Sequence, residues 1–348
     1  MKKEELYKTK TNTYSLLDQN VLDNVVLNQR YDKTANGVTF DWTASTLKYK
    51  SLSKGETTVN LIINNVVDAT ATTNLTCSFK VMIDGVLQPE NYSVKGNAGD
   101  KVSFTFNVGE ELKERVIEVT RVNERGICIL DLVDFTIHGE LLKTEEQDIL
   151  IEFIGDSVTC AGAMGGDGLQ SYAYRTAHAL GTDFRMVSQS GTGLMYNSGG
   201  EVNDKSVWTR GYKYENYMRS KTTMTTYDRI ADIVVINVGT NDVASRFAGH
   251  CSWTNDDFVE AGKSLIATVK SYNPNAIIVW CTKGMEGGHT TAVNMTIEAL
   301  GGPENGYYVC DFKTAYHDGS DNWHPGVEGH KSMSATMIEW FNQSGILD

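Results

Sequence analysis

The stretch Ile151–Cys160, IEFIGDSVTC, runs from an apolar segment straight into Gly155-Asp156-Ser157. A short apolar run of this kind, bounded by a turn signal, reads as a strand buried on both faces. An Asp-Ser turn at its end has two readings. The serine caps a helix, or it is presented for chemistry. The rest of the chain decides between them.

Similar runs recur downstream at residues 232–239 (DIVVINVG), 276–282 (AIIVWCT) and 307–312 (YYVCDF), none of them alternating. Helical periodicity lies between them. Phe258, Ala261, Leu265, Ile266, Val269 and Tyr272 share one face, Thr254 and Asp257 have capping-box spacing, and Pro274 ends the helix. Strands alternating with helices predict a doubly wound α/β domain over residues 148–348. Residues 1–143 read differently. In CSFKVMID (77–84) and VSFTFNV (102–108) apolar and polar residues alternate with period two, which predicts strands with one buried face. Turn signals at Asn36-Gly37, Lys54-Gly55, Asp84-Gly85 and Gly96 to Gly99 separate short strands, as in an all-β jelly-roll sandwich. The polar connector LLKTEEQD (141–148) is the expected boundary.

Composition removes some classes of function. The chain has 348 residues, 41% hydrophobic and 22% charged, with a net charge of −13. Such a balance does not build a phosphate-binding surface, so no nucleic-acid partner is expected. No run approaches the roughly 18 apolar residues of a membrane span, and the first residues lack a signal-peptide core. The six cysteines, Cys77, Cys128, Cys160, Cys251, Cys281 and Cys310, show no zinc spacing. Buried free thiols in a reducing cytoplasm are the expectation, with neither metal nor cofactor.

In an open α/β sheet, ligands bind beyond the carboxyl ends of the strands. That rule selects four loops: Gly155-Asp156-Ser157, Gly191-Thr192-Gly193, Gly239-Thr240-Asn241-Asp242, and DGSDNWHPGVEGH (318–330). Together they hold a hydroxyl, a glycine amide, an asparagine amide and a histidine. Acyl transfer needs that inventory of nucleophile, oxyanion donors and general base.

These four blocks, in this order, resemble those of the SGNH (GDSL) hydrolase superfamily, whose domain is a flavodoxin-like parallel sheet. The resemblance implies Ser157 as nucleophile, His324 as base, and an oxyanion hole formed by the Ser157 and Gly191 N–H groups and the Asn241 side chain. With the preceding β-domain and the stretches GVTFDWTAS (37–45), VMIDG (81–85) and IEVTRVNE (117–124), nearly the whole chain resembles carbohydrate esterase family two. Those enzymes remove O-acetyl groups, often at the 6-hydroxyl, from plant polysaccharides and their oligosaccharides. The implied substrate is an acetylated β-1,4-linked manno- or xylo-oligosaccharide. A lipase or thioesterase of the same superfamily, or a non-catalytic glycan-binding protein, is the alternative.

Asp321 has the three-residue spacing of a triad acid, Asp318 competes with it, and some members of the family use a backbone carbonyl instead. His317 and His330 are the other histidines near the last block, and His330 falls within a helical pattern. Asp156 and Asp242 read as turn residues. Trp323, beside His324, and Trp280, at a strand end, are the expected substrate-binding aromatics, with core packing as the alternative for each.

Overall fold

The computed structural model describes residues 10–65, 76–124, 129–164, 167–201, 208, 229–285 and 287–347. Cys128 lies outside them. The chain divides into two compact units, Met1–Glu146 and Gln147–Asp348.

The first unit is antiparallel β. Its strands are β1 (Thr11–Ser15), β2 (Val25–Asn28), β3 (Val38–Thr39), β4 (Thr46–Asn65), β5 (Thr76–Ile83), β6 (Val86–Leu87), β7 (Tyr92–Lys95), β8 (Lys101–Asn107), β9 (Lys113–Arg121) and β10 (Ile129–Leu142), with a short helix α1 (Gln19–Leu22). The alternating positions behave as the period demands: Cys77, Phe79, Val81, Phe104 and Phe106 are buried in one core. There Phe79 stacks on Phe104 at 5.0 Å and Tyr49 on Phe135 at 4.4 Å.

One expected turn is absent. Lys54-Gly55 sits inside β4, which continues for 20 residues. Along one edge β4 pairs first with β9 (Thr46–Ser53) and then with β8 (Glu56–Ile62). Gly55, at φ +67, absorbs the change of partner, and the register with β10 slips at the same level. A glycine signal between two strand-like runs marks a bulge as readily as a hairpin, and here the bulge wins.

The second unit is α/β. Strands β11 (Leu150–Gly155), β12 (Asp183–Ser188), β13 (Ile233–Asn237), β14 (Ile277–Gly284) and β15 (Tyr307–Ala315) form one parallel sheet in the order β12-β11-β13-β14-β15. Helices α2 (Tyr172–Leu180), α3 (Thr240–Phe247), α4 (Asn255–Tyr272), α5 (Thr290–Ala299) and α6 (Val327–Ser344) connect or follow the strands. Both faces of the sheet are covered. Phe153 pairs in register with Val235, whereas Trp280 pairs with Ile236, so the two side chains leave opposite faces. Phe153 meets Tyr172 of α2, and Trp280 meets Phe258 of α4. That arrangement explains why these strands carry continuous apolar runs. No helix among the described residues is long and apolar enough to cross a membrane.

The capping box at the start of α4 forms as its spacing implies. The Thr254 hydroxyl accepts the Asp257 N–H at 3.2 Å, and the Asp257 carboxylate accepts the Thr254 N–H at 2.8 Å. Thr254→Ala removes one side of that exchange. It should destabilise the α/β unit by about 1 kcal/mol, read as a lower urea midpoint at unchanged slope; an unchanged midpoint contradicts it.

Candidate active site

The sheet order places the turn after β11 between the loops after β12 and β13. Ser157 begins there. Gly155 makes the turn possible, because a Cβ on it would lie 1.9 Å from the Thr159 hydroxyl. The Asp156 carboxylate then caps the turn by accepting the Val158 N–H at 3.0 Å, while its carbonyl accepts the N–H groups of Thr159 and Cys160. Ser157 is thus held on a rigid helical turn with its side chain at the sheet's carboxyl edge.

His324 comes from the other end of the unit. Its Nε2 lies 2.8 Å from Ser157 Oγ, and its Nδ1 lies 2.6 Å from Asp321 Oδ2. The other Asp321 oxygen accepts the backbone N–H groups of Trp323 and His324 at 2.9 and 3.0 Å. Desolvation, the largest single influence on Asp321, raises its pKa. The two backbone N–H groups and the His324 ring together outweigh it and bring the carboxyl down to about 2. A charged carboxylate therefore faces Nδ1 and leaves Nε2 directed at the serine.

The competing residues have other partners. Asp318 accepts the Gly326 and Gly329 N–H groups at 2.8 and 3.0 Å, capping the start of α6. His317 Nδ1 meets the Trp323 carbonyl at 2.8 Å. His330 is buried, and its Nδ1 accepts the Tyr172 N–H at 3.1 Å. Burial holds its pKa down at about 4, with the Arg175 charge acting in the same direction.

Gly191, at φ +79, and Asn241, on the first turn of α3, flank the serine turn in the fold. Among the described residues the Ser157 and Gly191 N–H groups make no hydrogen bond. Asn241 Nδ2 donates to Asp156 Oδ2 at 3.1 Å and to the Thr192 carbonyl at 3.0 Å. Asp156 and Asp242 are both buried. Burial is the main influence pushing Asp156 up to about 7, and the Asp242 charge adds to it. Asp242 is pushed up to about 6 by burial against three backbone N–H donors. Neither residue stood out in the sequence, where Asp in a turn carries no mark of burial.

The two tryptophans separate. Trp323 is 64% exposed beside His324. Trp280 is a correction: it is 0% exposed, packed on Phe258, and its indole N–H donates to the Val238 carbonyl at 3.3 Å. A strand-end position does not put a side chain at the edge when that side chain points into a helix-covered face. Trp280 therefore cannot touch a substrate.

A doubly wound sheet carries a hydroxyl–imidazole–carboxylate line at its carboxyl edge, the arrangement that serine-type hydrolases use. Residues 153–331 match the GDSL-like lipase/acylhydrolase family, and the chain belongs to that family. The cellulase/esterase CelE of Acetivibrio thermocellus is 30% identical over 228 residues, which is 57% of this chain and 26% of CelE. The chain thus spans about a quarter of that curated relative's length. Among solved structures, a family two carbohydrate esterase from Clostridium thermocellum, in complex with cellohexaose, superposes with a TM-score of 0.75. It is 25% identical, and the match covers 92% of this chain and 99% of that one. The acetyl xylan esterase Est2A of the rumen bacterium Butyrivibrio proteoclasticus shares the fold, with a TM-score of 0.77 at 20% identity over 96% and 100% of the two chains.

A second buried histidine yields a prediction about pH. His289 is 1% exposed, neither ring nitrogen has a hydrogen-bond partner among the described residues, and burial lowers its pKa from 6.5 to about 4. Because the folded pKa is depressed, its contribution to stability is fully present above pH 6.5. It is lost as the pH falls toward 4, where only the unfolded chain takes the proton readily. Asp156 and Asp242 act in the opposite direction, since their raised pKa values favour the fold at low pH and cost stability as the pH rises through 6 and 7. His289→Gln should flatten the acid limb between pH 6.5 and 4 by up to about 1.4 kcal/mol per pH unit, read from denaturation midpoints across that range. Parallel wild-type and variant curves would rule this out.

Proposed function

We propose that the protein is a carbohydrate O-acetylesterase acting on acetylated β-1,4-linked oligosaccharides of the manno- or xylo- type, with 6-O-acetyl groups among its targets. The observation that carries the reading is the Ser157–His324–Asp321 line, with contacts of 2.8 and 2.6 Å. Ser157 Oγ attacks the acetyl carbonyl as His324 Nε2 takes its proton, and the Asp321 carboxylate stabilises the imidazolium. The oxyanion rests on the Ser157 and Gly191 N–H groups and on Asn241 Nδ2, which turns one hydrogen from the Thr192 carbonyl toward it. His324 returns the proton to the departing sugar hydroxyl. A water molecule, deprotonated by His324, then releases acetate and frees Ser157.

The carbohydrate part of the reading is supported by two features. One is the likeness to CelE and to the esterase solved with cellohexaose. The other is Trp323, an exposed indole beside the base, whose flat face suits the C–H face of a pyranose. A cytoplasmic setting, with imported oligosaccharides as substrates, belongs to the same proposal. The free thiols at Cys281 and Cys310, both buried, are compatible with it.

Ser157→Ala and His324→Ala should each reduce turnover of p-nitrophenyl acetate by about 10³-fold or more, with the double variant scarcely worse, because the two groups act as a unit. Asp321→Asn should cost less than either. Activity of Ser157→Ala above a few per cent of wild type would end the assignment.

Trp323→Ala tests the substrate class. Loss of the stacking contact removes roughly 1–2 kcal/mol of apolar burial, so kcat/KM on acetylated oligosaccharides should fall about ten-fold. The small ester p-nitrophenyl acetate has no sugar to stack and should lose far less. Equal losses on both substrates, or faster turnover of long-chain acyl esters than of acetylated sugars, would overturn the carbohydrate reading.

A further inference from the structure

We propose that Asp242 is a positioning residue for the oxyanion site: it clamps the Gly191-bearing loop to the start of α3 and so fixes the Gly191 and Asn241 donors relative to each other. The inference rests on the esterase reading above. Asp242 is wholly buried, and its carboxylate collects three successive backbone N–H groups. Leu194 donates to Oδ2 at 2.7 Å, and Met195 and Tyr196 donate to Oδ1 at 2.7 and 2.9 Å. Consecutive N–H groups converging on one point form an anion-binding nest. The anion in this nest is supplied by the protein itself.

The loop closes on the carboxylate with no space to spare. A Cβ at Gly193 would lie 1.8 Å from the Tyr196 carbonyl oxygen and 2.7 Å from Asp242 Oδ2, so only glycine allows the curl. The Ser198 N–H donates to the Gly191 carbonyl at 3.0 Å and holds the other side of the loop. From α3, Asn241 reaches back to the Thr192 carbonyl, and the Trp253 indole N–H holds the Asp242 carbonyl at 3.0 Å. The Gly191-bearing loop and the start of α3, which carry the two proposed donors, therefore stay joined through Asp242 even when Asn241 turns a hydrogen away from Thr192.

Burying a charge is costly, and the three N–H groups that close on Asp242 offset that cost. What the carboxylate provides is a defined shape for a loop that lacks regular secondary structure. An oxyanion donor displaced by even half an ångström loses much of its effect on the transition state.

Asp242→Asn keeps the side chain's shape but sets an amide donor against one of the three N–H groups. With p-nitrophenyl acetate, kcat should fall about 10- to 100-fold while KM stays within about two-fold, as expected when a transition-state contact is misplaced. In an Asn241→Ala background the same substitution should cost clearly less, since one of the donors it positions is already gone. If Asp242→Asn does not fold, Trp253→Phe tests the clamp from its other side and should show a smaller kcat loss with the same coupling to Asn241. An unchanged kcat, a pure KM effect, or equal factors in both backgrounds would overturn the proposal. Ser157→Ala, assayed in parallel, separates the two levels. If it retains activity, the esterase reading itself fails. If it is inactive while Asp242→Asn turns over normally, only the positioning role fails.

Discussion

Asp156 and Asp242 are buried carboxylates at the loop edge of the α/β unit, and the need to satisfy them governs how those loops are arranged. A buried carboxylate is tolerated only when hydrogen-bond donors surround it. Asp156 takes its donors from Val158 and Asn241, and so joins the serine turn to α3. Asp242 takes three from Leu194, Met195 and Tyr196, and so joins α3 to the loop after β12. Each acid precedes or follows a residue of the proposed chemistry, and each reaches across to another loop. Three loops with little regular structure thereby become one rigid edge.

Sheet order supplies the remainder. The strand β11 lies between β12 and β13, so the loops bearing Ser157, Gly191 and Asn241 are adjacent from the outset. His324 follows β15, at the far edge of the sheet, and has to be carried back. The helix α6 does this by packing on α2, where the His330 ring accepts the Tyr172 N–H and stacks on its ring at 6.2 Å. Asp318 caps α6 and fixes the loop just before it. The buried histidine and the capping acid do no chemistry in this reading, yet the 2.8 Å contact between His324 and Ser157 depends on where they hold the chain.

Much of this was legible in the residues. Continuous apolar runs marked the parallel strands, strict alternation marked the β-domain, and Thr254 with Asp257 marked the start of α4. These signals are local, because each expresses the period of one element or the cap of one helix. The blocks containing Ser157, Gly191, Asn241 and His324 were legible too, since loops at the carboxyl ends of parallel strands converge whatever the details of packing. Lys54-Gly55 misled because a glycine permits a bulge and a hairpin equally, and only the change of partner from β9 to β8 decides which one forms.

The sequence by itself determined which elements form and which side chains the sheet delivers to one edge, because strand period, helix capping and loop placement are properties of short segments. Tertiary structure alone decided what each of those side chains faces. Trp280 and Trp323 have equal claim to a sugar as residues, yet one is sealed under α4 and the other stands in solvent. Asp318 and Asp321 are three positions apart, yet one caps a helix and the other meets an imidazole. Asp242 reads as an ordinary turn residue until three N–H groups more than 40 positions away close around it. Orientation and burial arise from contacts between distant segments, and no local pattern of residue types encodes them.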